Sequence, residues 1–344
     1  SKNFGTDKTA TVTVGENATG FRAENITFVN SYNIDEPDDD VRKQVQAVAL
    51  ETLADKVVLE NCKMIGRQDT LYLKGASKGQ TVSGEANPAR VYLKNCYIEG
   101  TVDFIFGDAT AYFDKCNLHM VYYKNGGHFT APNTTLYNIG YVFNECTLTV
   151  DKAYTAEEAG KIDLGRPWQC DSAYPNYGSN SVYINCTMPD IMNSEGFSLW
   201  DEGTVVNKVR FMEYGSKRAN GADMDLSGRA DFVKLLTEEQ ARGFNAYNVL
   251  KGNDNWNPSE SNRSNDKLSC DITLNSYDTS IPVGESFQLK TYTLPMENDG
   301  SVTYTSSDDS IASVDENGVI TANKVGSAVI SVSNESGLTS KSQV

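Results

Sequence analysis

Histidine is nearly missing from this chain, with two residues in 344. Neither His119 nor His128 sits in a partner motif and no GxSxG elbow is present, which disfavours a Ser-His-Asp hydrolase. The seven cysteines (62, 96, 116, 146, 170, 186 and 270) form no CxxC pair and have no histidine at zinc spacing, so no metal is expected on them. No apolar run approaches the roughly 20 residues that a membrane helix needs, and no membrane partner is expected. Positive charge is also short: 30 Lys and Arg stand against 46 Asp and Glu, a net charge of −16. That balance argues against nucleic acid and anionic membranes as partners. It makes a fully ionised polyanion an awkward substrate unless its charge is masked. The chain opens on SKNFGTDK, without Met or a signal peptide, which is expected to reflect processing or truncation.

What is present is a repeat. Strand-like alternations end in Asn25-Ile26, Asn61-Cys62, Asn95-Cys96, Lys115-Cys116, Glu145-Cys146 and Asn185-Cys186, each followed by an apolar residue two positions on. The cysteines from 62 to 146, and on to 186, lie 34, 20, 30 and 40 residues apart. A coil of about twenty residues with variable loop insertions fits these intervals. With strand signals dominant and helix signals few, such a period predicts a parallel β-helix. Its cysteines then share one inward phase as a buried stack, where small apolar thiols pack well. Whether stacked neighbours bridge is open at this level.

Two copies of the repeat carry chemistry. Asp69 follows Cys62 by seven residues, and Asp103 follows Cys96 by seven. An isolated aspartate in QDT or VDF reads as a turn residue, but two at one offset on neighbouring coils lie side by side, since adjacent strands are about 4.8 Å apart. Carboxylates that close cannot both ionise cheaply, so one becomes a proton donor while the other stays an ionised nucleophile. A guanidinium would hold the nucleophile charged, and Arg166 in GRPW is the candidate. The Gln68 amide, beside Asp69, is placed to donate to an oxyanion. Trp168 alone reads equally as a packing residue or a sugar platform. The acidic DEPDDD run at 35–40 reads as a solvated loop; as a calcium loop it lacks spaced ligands and the turn glycine.

GRQDTLY (66–72), GTVDFIFGDA (100–109) and LGRPW (164–168), with QAVAL (46–50) ahead of them, resemble the pectin methylesterase family over roughly residues 9–257. The resemblance implies an all-β fold, a right-handed parallel β-helix. It implies that Asp103 is the nucleophile, Asp69 the general acid and then base, Gln46 and Gln68 the oxyanion donors, and Arg166 the partner of Asp103. Trp168 would flank a galacturonosyl ring, with Val102, Phe106 and Trp200 also at the substrate cleft. The implied substrate is methyl-esterified pectin (homogalacturonan), hydrolysed to galacturonate and methanol without metal or cofactor. The chain departs from the family in starting after its GxYxE motif, so the first coil is expected to be missing. It also has Phe197 where the family often has Trp.

After a helix candidate at Ala230–Ala241 and a polar linker at 258–267, composition shifts to short Thr, Ser, Val and Ile alternations with turns at Gly284, Gly318 and Gly326. This predicts a small immunoglobulin-like β-sandwich over 268–344. IASVDENGVITANKVGSAVISV resembles the bacterial immunoglobulin-like group 2 domain, which implies a bacterial, secreted or cell-surface protein, expected as a monomer. Two other readings remain at this level: a β-helical pectate lyase or polygalacturonase, and a non-catalytic glycan-binding β-helix.

Overall fold

The computed structural model describes residues 5–34, 45–75, 89–155, 157, 160–169, 177–259, 268–295 and 300–344. The DEPDDD run, Cys170 and most of the 258–267 stretch lie outside the described residues. Two compact units divide the chain: 1–236 with 256–260, and 237–255 with 261–344.

The first unit is a parallel β-helix of three sheets, built as the repeat predicts. The first sheet stacks Val12–Val14, Leu50–Thr52, Leu71–Leu73, Ile105–Gly107, Gly127–Pro132 and Ile162–Gly165 in that order. The second runs from Arg22–Glu24 through six further strands to Val233–Leu235, and the third from Thr27–Val29 to Lys217–Arg218. All pairings within these sheets are parallel, as between Val57–Glu60 and Arg90–Lys94.

The corner between the second and third sheets explains the repeat. Two residues make it in every coil, and the first is left-handed: Asn25, Asn61, Asn95, Lys115, Glu145, Asn185 and Gly215 have φ between 51° and 65°. Asn and Gly tolerate this region best, which is why they hold five of the seven places. Each coil bonds to the next through the corner itself; the Asn61 N–H donates to the Lys94 carbonyl at 2.9 Å, and the Tyr97 N–H to the Cys62 carbonyl at 2.9 Å. The second corner residue points inward. Cys62, Cys96, Cys116, Cys146 and Cys186 are buried, free thiols. Each thiol donates to a carbonyl of the coil before, as Cys146 does to Phe113 at 3.3 Å and Cys186 to Phe143 at 3.4 Å. Burial, with the neighbouring thiols Cys116 and Cys186, pushes the Cys146 thiol well up.

Beside the thiols, Phe113, Phe143 and Tyr183 occupy one register position. Their rings stack at 4.3 and 4.6 Å. Each fully buried ring of this kind stabilises the fold by about 1.5–3 kcal/mol. The next residue in that register is Glu213, wholly buried and paired with Arg229 at 2.7 Å.

The stack continues past Val209–Tyr214: Gly215-Ser216 makes a seventh corner, with Ser in place of Cys, leading to Lys217–Arg218 and later Val233–Leu235. One expectation is corrected. The helix expected over Ala230–Ala241 begins later: Val233 pairs with Phe211 in the second sheet, and the helix is Glu238–Gly243. Sheet pairing overrides the local helical pattern there, and a Thr237/Gln240 capping box sets the true start. Ile162–Gly165 is the last strand of the first sheet.

The second unit is antiparallel. It pairs Asp271–Leu274 with Thr291–Leu294, Val319–Ala322 with Ser286–Gln288 and Ala312–Val314, and Val329–Asn334 with Val302–Ser306 and Thr339–Gln343. Ile272, Leu274, Leu289, Ile320, Ile330 and Val332 are buried in it. The helix Glu238–Gly243 belongs to this unit; the Gln240 amide donates to the Gly337 carbonyl at 3.1 Å and the Cys270 thiol to the Gly243 carbonyl at 3.0 Å.

Candidate active site

The outer face of the first sheet collects the ionisable residues. Leu71 pairs with Ile105, and Ile105 with Thr130. Two positions earlier in the same register stand Asp69, Asp103 and His128, and His128 pairs in turn with Asp163. Four consecutive coils therefore present Asp, Asp, His and Asp in one column. The first pair confirms the side-by-side placement expected from the shared offset. Asp69 and Asp103 both have left-handed backbone, φ 62° and 52°. The Asp69 N–H is tied to the Val102 carbonyl at 3.1 Å. Val102 thus helps fix the general-acid candidate through its backbone, a role its side chain does not reveal.

Both aspartates are buried, 7% and 5% exposed, and only one has a cation seated on it. Arg166 grips Asp103 with two hydrogen bonds, Nε to Oδ1 at 2.9 Å and Nη2 to Oδ2 at 2.6 Å. Such a fork is a strong, directional way to hold a carboxylate ionised. Asp69 is different. Burial, reinforced by the charge of Asp103, pushes its carboxyl well above the ordinary range, against the pull of Arg166 and a hydrogen bond with Thr6. The pair is thus held unevenly: Asp103 carries the guanidinium fork, and Asp69 is pushed towards its neutral form.

Arg166 is itself clamped, since its guanidinium lies 4.0 Å from the centre of the Trp200 ring. Trp200 packs near Trp168, with ring centres 6.5 Å apart, and the two line a recess of about 230 Å³ with Pro167, Asp201 and Thr204. Phe106 stacks on Tyr72 at 4.2 Å and meets Trp168 at 5.8 Å. At 2% exposure it is a floor beneath Trp168 rather than an open surface. Gln46 and Gln68 are both half-buried. They are brought to adjacent coils by the Ala47 N–H, which donates to the Gln68 carbonyl at 3.2 Å.

Two members of the column, His128 and Asp163, escaped the sequence reading. They follow Cys116 and Cys146 by twelve and seventeen residues rather than seven, because the loops entering the first sheet are longer in those coils. The shared offset, the signal that found Asp69 and Asp103, is erased there.

A family model for pectinesterase matches residues 1–253. This chain belongs to the pectinesterase family. Residues 270–343 match the bacterial Ig-like domain (group 2). Pectinesterase QRT1 of Arabidopsis thaliana is 32% identical over 258 residues, which cover 74% of this chain and 57% of that protein. A probable pectinesterase A of Neosartorya fischeri is 32% identical over 254 residues, covering 73% and 63%. The chain therefore spans less than two-thirds of either pectinesterase. Among solved structures, the pectin methylesterase from carrot superposes with a TM-score of 0.56 at 26% identity, covering 71% of this chain and 69% of that one. A pectin methylesterase in complex with a hexasaccharide gives 0.55 at 26% identity, covering 75% and 76%. Pectinesterase-family membership and the parallel β-helix thus agree with the fold described above.

Proposed function

We propose that this chain is a pectin methylesterase acting on the C6 methyl esters of homogalacturonan, releasing methanol and leaving galacturonate. The observation that carries the reading is the split carboxyl pair: Asp103 forked by Arg166, with Asp69 beside it and pushed towards its neutral form. One Asp103 oxygen attacks the ester carbonyl carbon, and the amides of Gln46 and Gln68 donate to the oxyanion that forms. The intermediate collapses with loss of methoxide, which takes the proton of Asp69 and leaves as methanol. The remaining acyl-enzyme is a mixed anhydride with Asp103. Asp69, now a carboxylate, removes a proton from water; the hydroxide attacks the acyl carbon and expels the Asp103 carboxylate, and the galacturonic acid so formed gives its proton to solvent as galacturonate. Asp69 ends protonated, as it began. A methylated stretch of pectin carries little charge, which removes the conflict with a chain of net charge −16.

Trp168 and Trp200 are the proposed sugar-binding wall, with Phe106 as the floor beneath Trp168 and Val102 lining the cleft beside Asp69. Related support comes from the pectin methylesterase crystallised in complex with a hexasaccharide. Extracellular action of a bacterial, monomeric enzyme, with the immunoglobulin-like unit as spacer or attachment, completes the reading.

The test is methanol release from highly methylated pectin by the chain and by its Asp103→Asn variant, with unsaturated products followed in the same tubes. Asn is the right replacement because it tolerates the left-handed backbone at 103, where Ala would add strain. Methanol from the parent alone is the expected result. Unsaturated product without methanol would move the chain to the lyases, and neither product from folded protein would leave a binding role.

A further inference from the structure

His128 is not needed by the reaction as written, yet it sits inside the column. Its Nδ1 lies 3.6 Å from Asp103 Oδ1, and its Nε2 lies 3.4 Å from Asp163 Oδ2. Nδ1 is fully buried and has no hydrogen-bond partner among the described residues. Asp163 is 7% exposed, and its other oxygen accepts from the Asn193 amide at 2.8 Å. Asp103 and Asp163 are the ionisable groups in ion-pair range of the ring among the described residues, and Arg166 reaches Asp103 as well.

A charge count points the same way. With Asp69 protonated, the column holds two carboxylates, Asp103 and Asp163, against one guanidinium. An imidazolium at 128 brings the sum to zero, which a buried cluster favours. A protonated ring also has a donor on each nitrogen, one for each flanking carboxylate, whereas the neutral ring has a single donor.

We propose that His128 is a positioning residue: in its protonated form it ties the nucleophile Asp103 to a buried anchor made by Asp163 and Asn193. The inference rests on the esterase reading for Asp103 but is carried by the register and the two ring-to-carboxylate distances. Arg166 holds Asp103 from one strand and His128 steadies it from the next coil. A ring that offers one donor can serve only one of the two carboxylates, which leaves Asp103 freer to turn. Turnover then falls while substrate binding, made elsewhere, is little changed.

The test compares the full chain with His128→Ala, His128→Asn and Asp163→Asn, measuring kcat and KM for methanol release across pH, with thermal melting to confirm folding. Ala is expected to lower kcat by about tenfold with KM within about twofold, since small misplacements of reacting groups have effects of that order or larger. Asn offers a side-chain amide donor and should recover most of kcat. Asp163→Asn should resemble His128→Ala. Parental kcat in His128→Ala would overturn the proposal, as would a rise in KM with kcat intact. A readout independent of turnover separates this from failure of the esterase reading. With two histidines in the chain, the ring N–H protons are assigned by one variant. A downfield His128 N–H resonance in the parent, lost in Asp163→Asn, is expected; its absence from the parent would also sink the idea.

Discussion

Two columns run along the β-helix, one of thiols and one of ionisable groups, and they are built by the same repeat to opposite ends. The thiols follow a left-handed corner residue, point inward and donate to the carbonyls of the preceding coil. Asp69 and Asp103 are themselves left-handed and stand on the outer face of the first sheet. The thiols are buried, and so is the second column apart from half-buried His128; among the described residues only the second has a guanidinium, an imidazole and neighbouring carboxylates within reach. Stacking supplies position in either case. Reactivity arises where burial is combined with uneven partners, as Asp103 has its fork and Asp69 does not.

Asp103→Asn should produce the largest contrast between the columns. Methanol release is expected to fall by about 10³-fold or more, because loss of a nucleophile removes the covalent route. Melting should barely move. Cys116→Ser should do the reverse: stability falls by roughly 1–2 kcal/mol for burying a more polar group, while kcat per folded molecule, measured by the same assay, is retained. Ser216, which fills the equivalent place in the seventh corner, suggests the coil will still form.

Asp69→Asn sharpens the comparison through pH. A carboxyl whose folded pKa is raised holds its proton more tightly when folded, so its contribution weakens stability as pH rises from the ordinary carboxylate value towards the raised one. The amide variant should therefore melt higher than the parent at pH 7, by roughly 2–4 °C, and show no such gain at pH 3. Equal melting at pH 7 would count against a strained Asp69. The smallest effect belongs to the corner. Lys115→Asn should add roughly 0.5–1 kcal/mol, read by denaturant unfolding, because Asn accepts the left-handed region that Lys resists. Its ion pair with Glu145, 3.8 Å long and more than half exposed on both sides, offers little to lose.

How much of this was legible beforehand follows from where the chain keeps a constant length. The thiol column was readable because two residues make every corner from the second sheet to the third. Asp69 and Asp103 were readable because their coils also share the approach to the first sheet. His128 and Asp163 were not, since five and ten extra residues intervene after their cysteines. Gly215-Ser216 was missed for another reason: Ser in place of Cys hid the seventh corner, although Gly at the left-handed position was a usable signal. The strand Val233–Leu235 reads locally as helix because its partner, Phe211, lies 22 residues away and no local pattern announces it.

The unvarying two-residue corner also bears on how such a molecule can be altered. Because every coil is hydrogen-bonded to the next through that bend, one added residue there would shift two sheets against a third along the whole stack. The approaches to the first sheet carry no such common constraint and already differ in length from coil to coil. Variation in this lineage, and any attempt to graft new loops, therefore has its natural inlet beside the carboxylates. The face that carries the paired carboxylates is the one free to be remodelled, while the spine opposite keeps count.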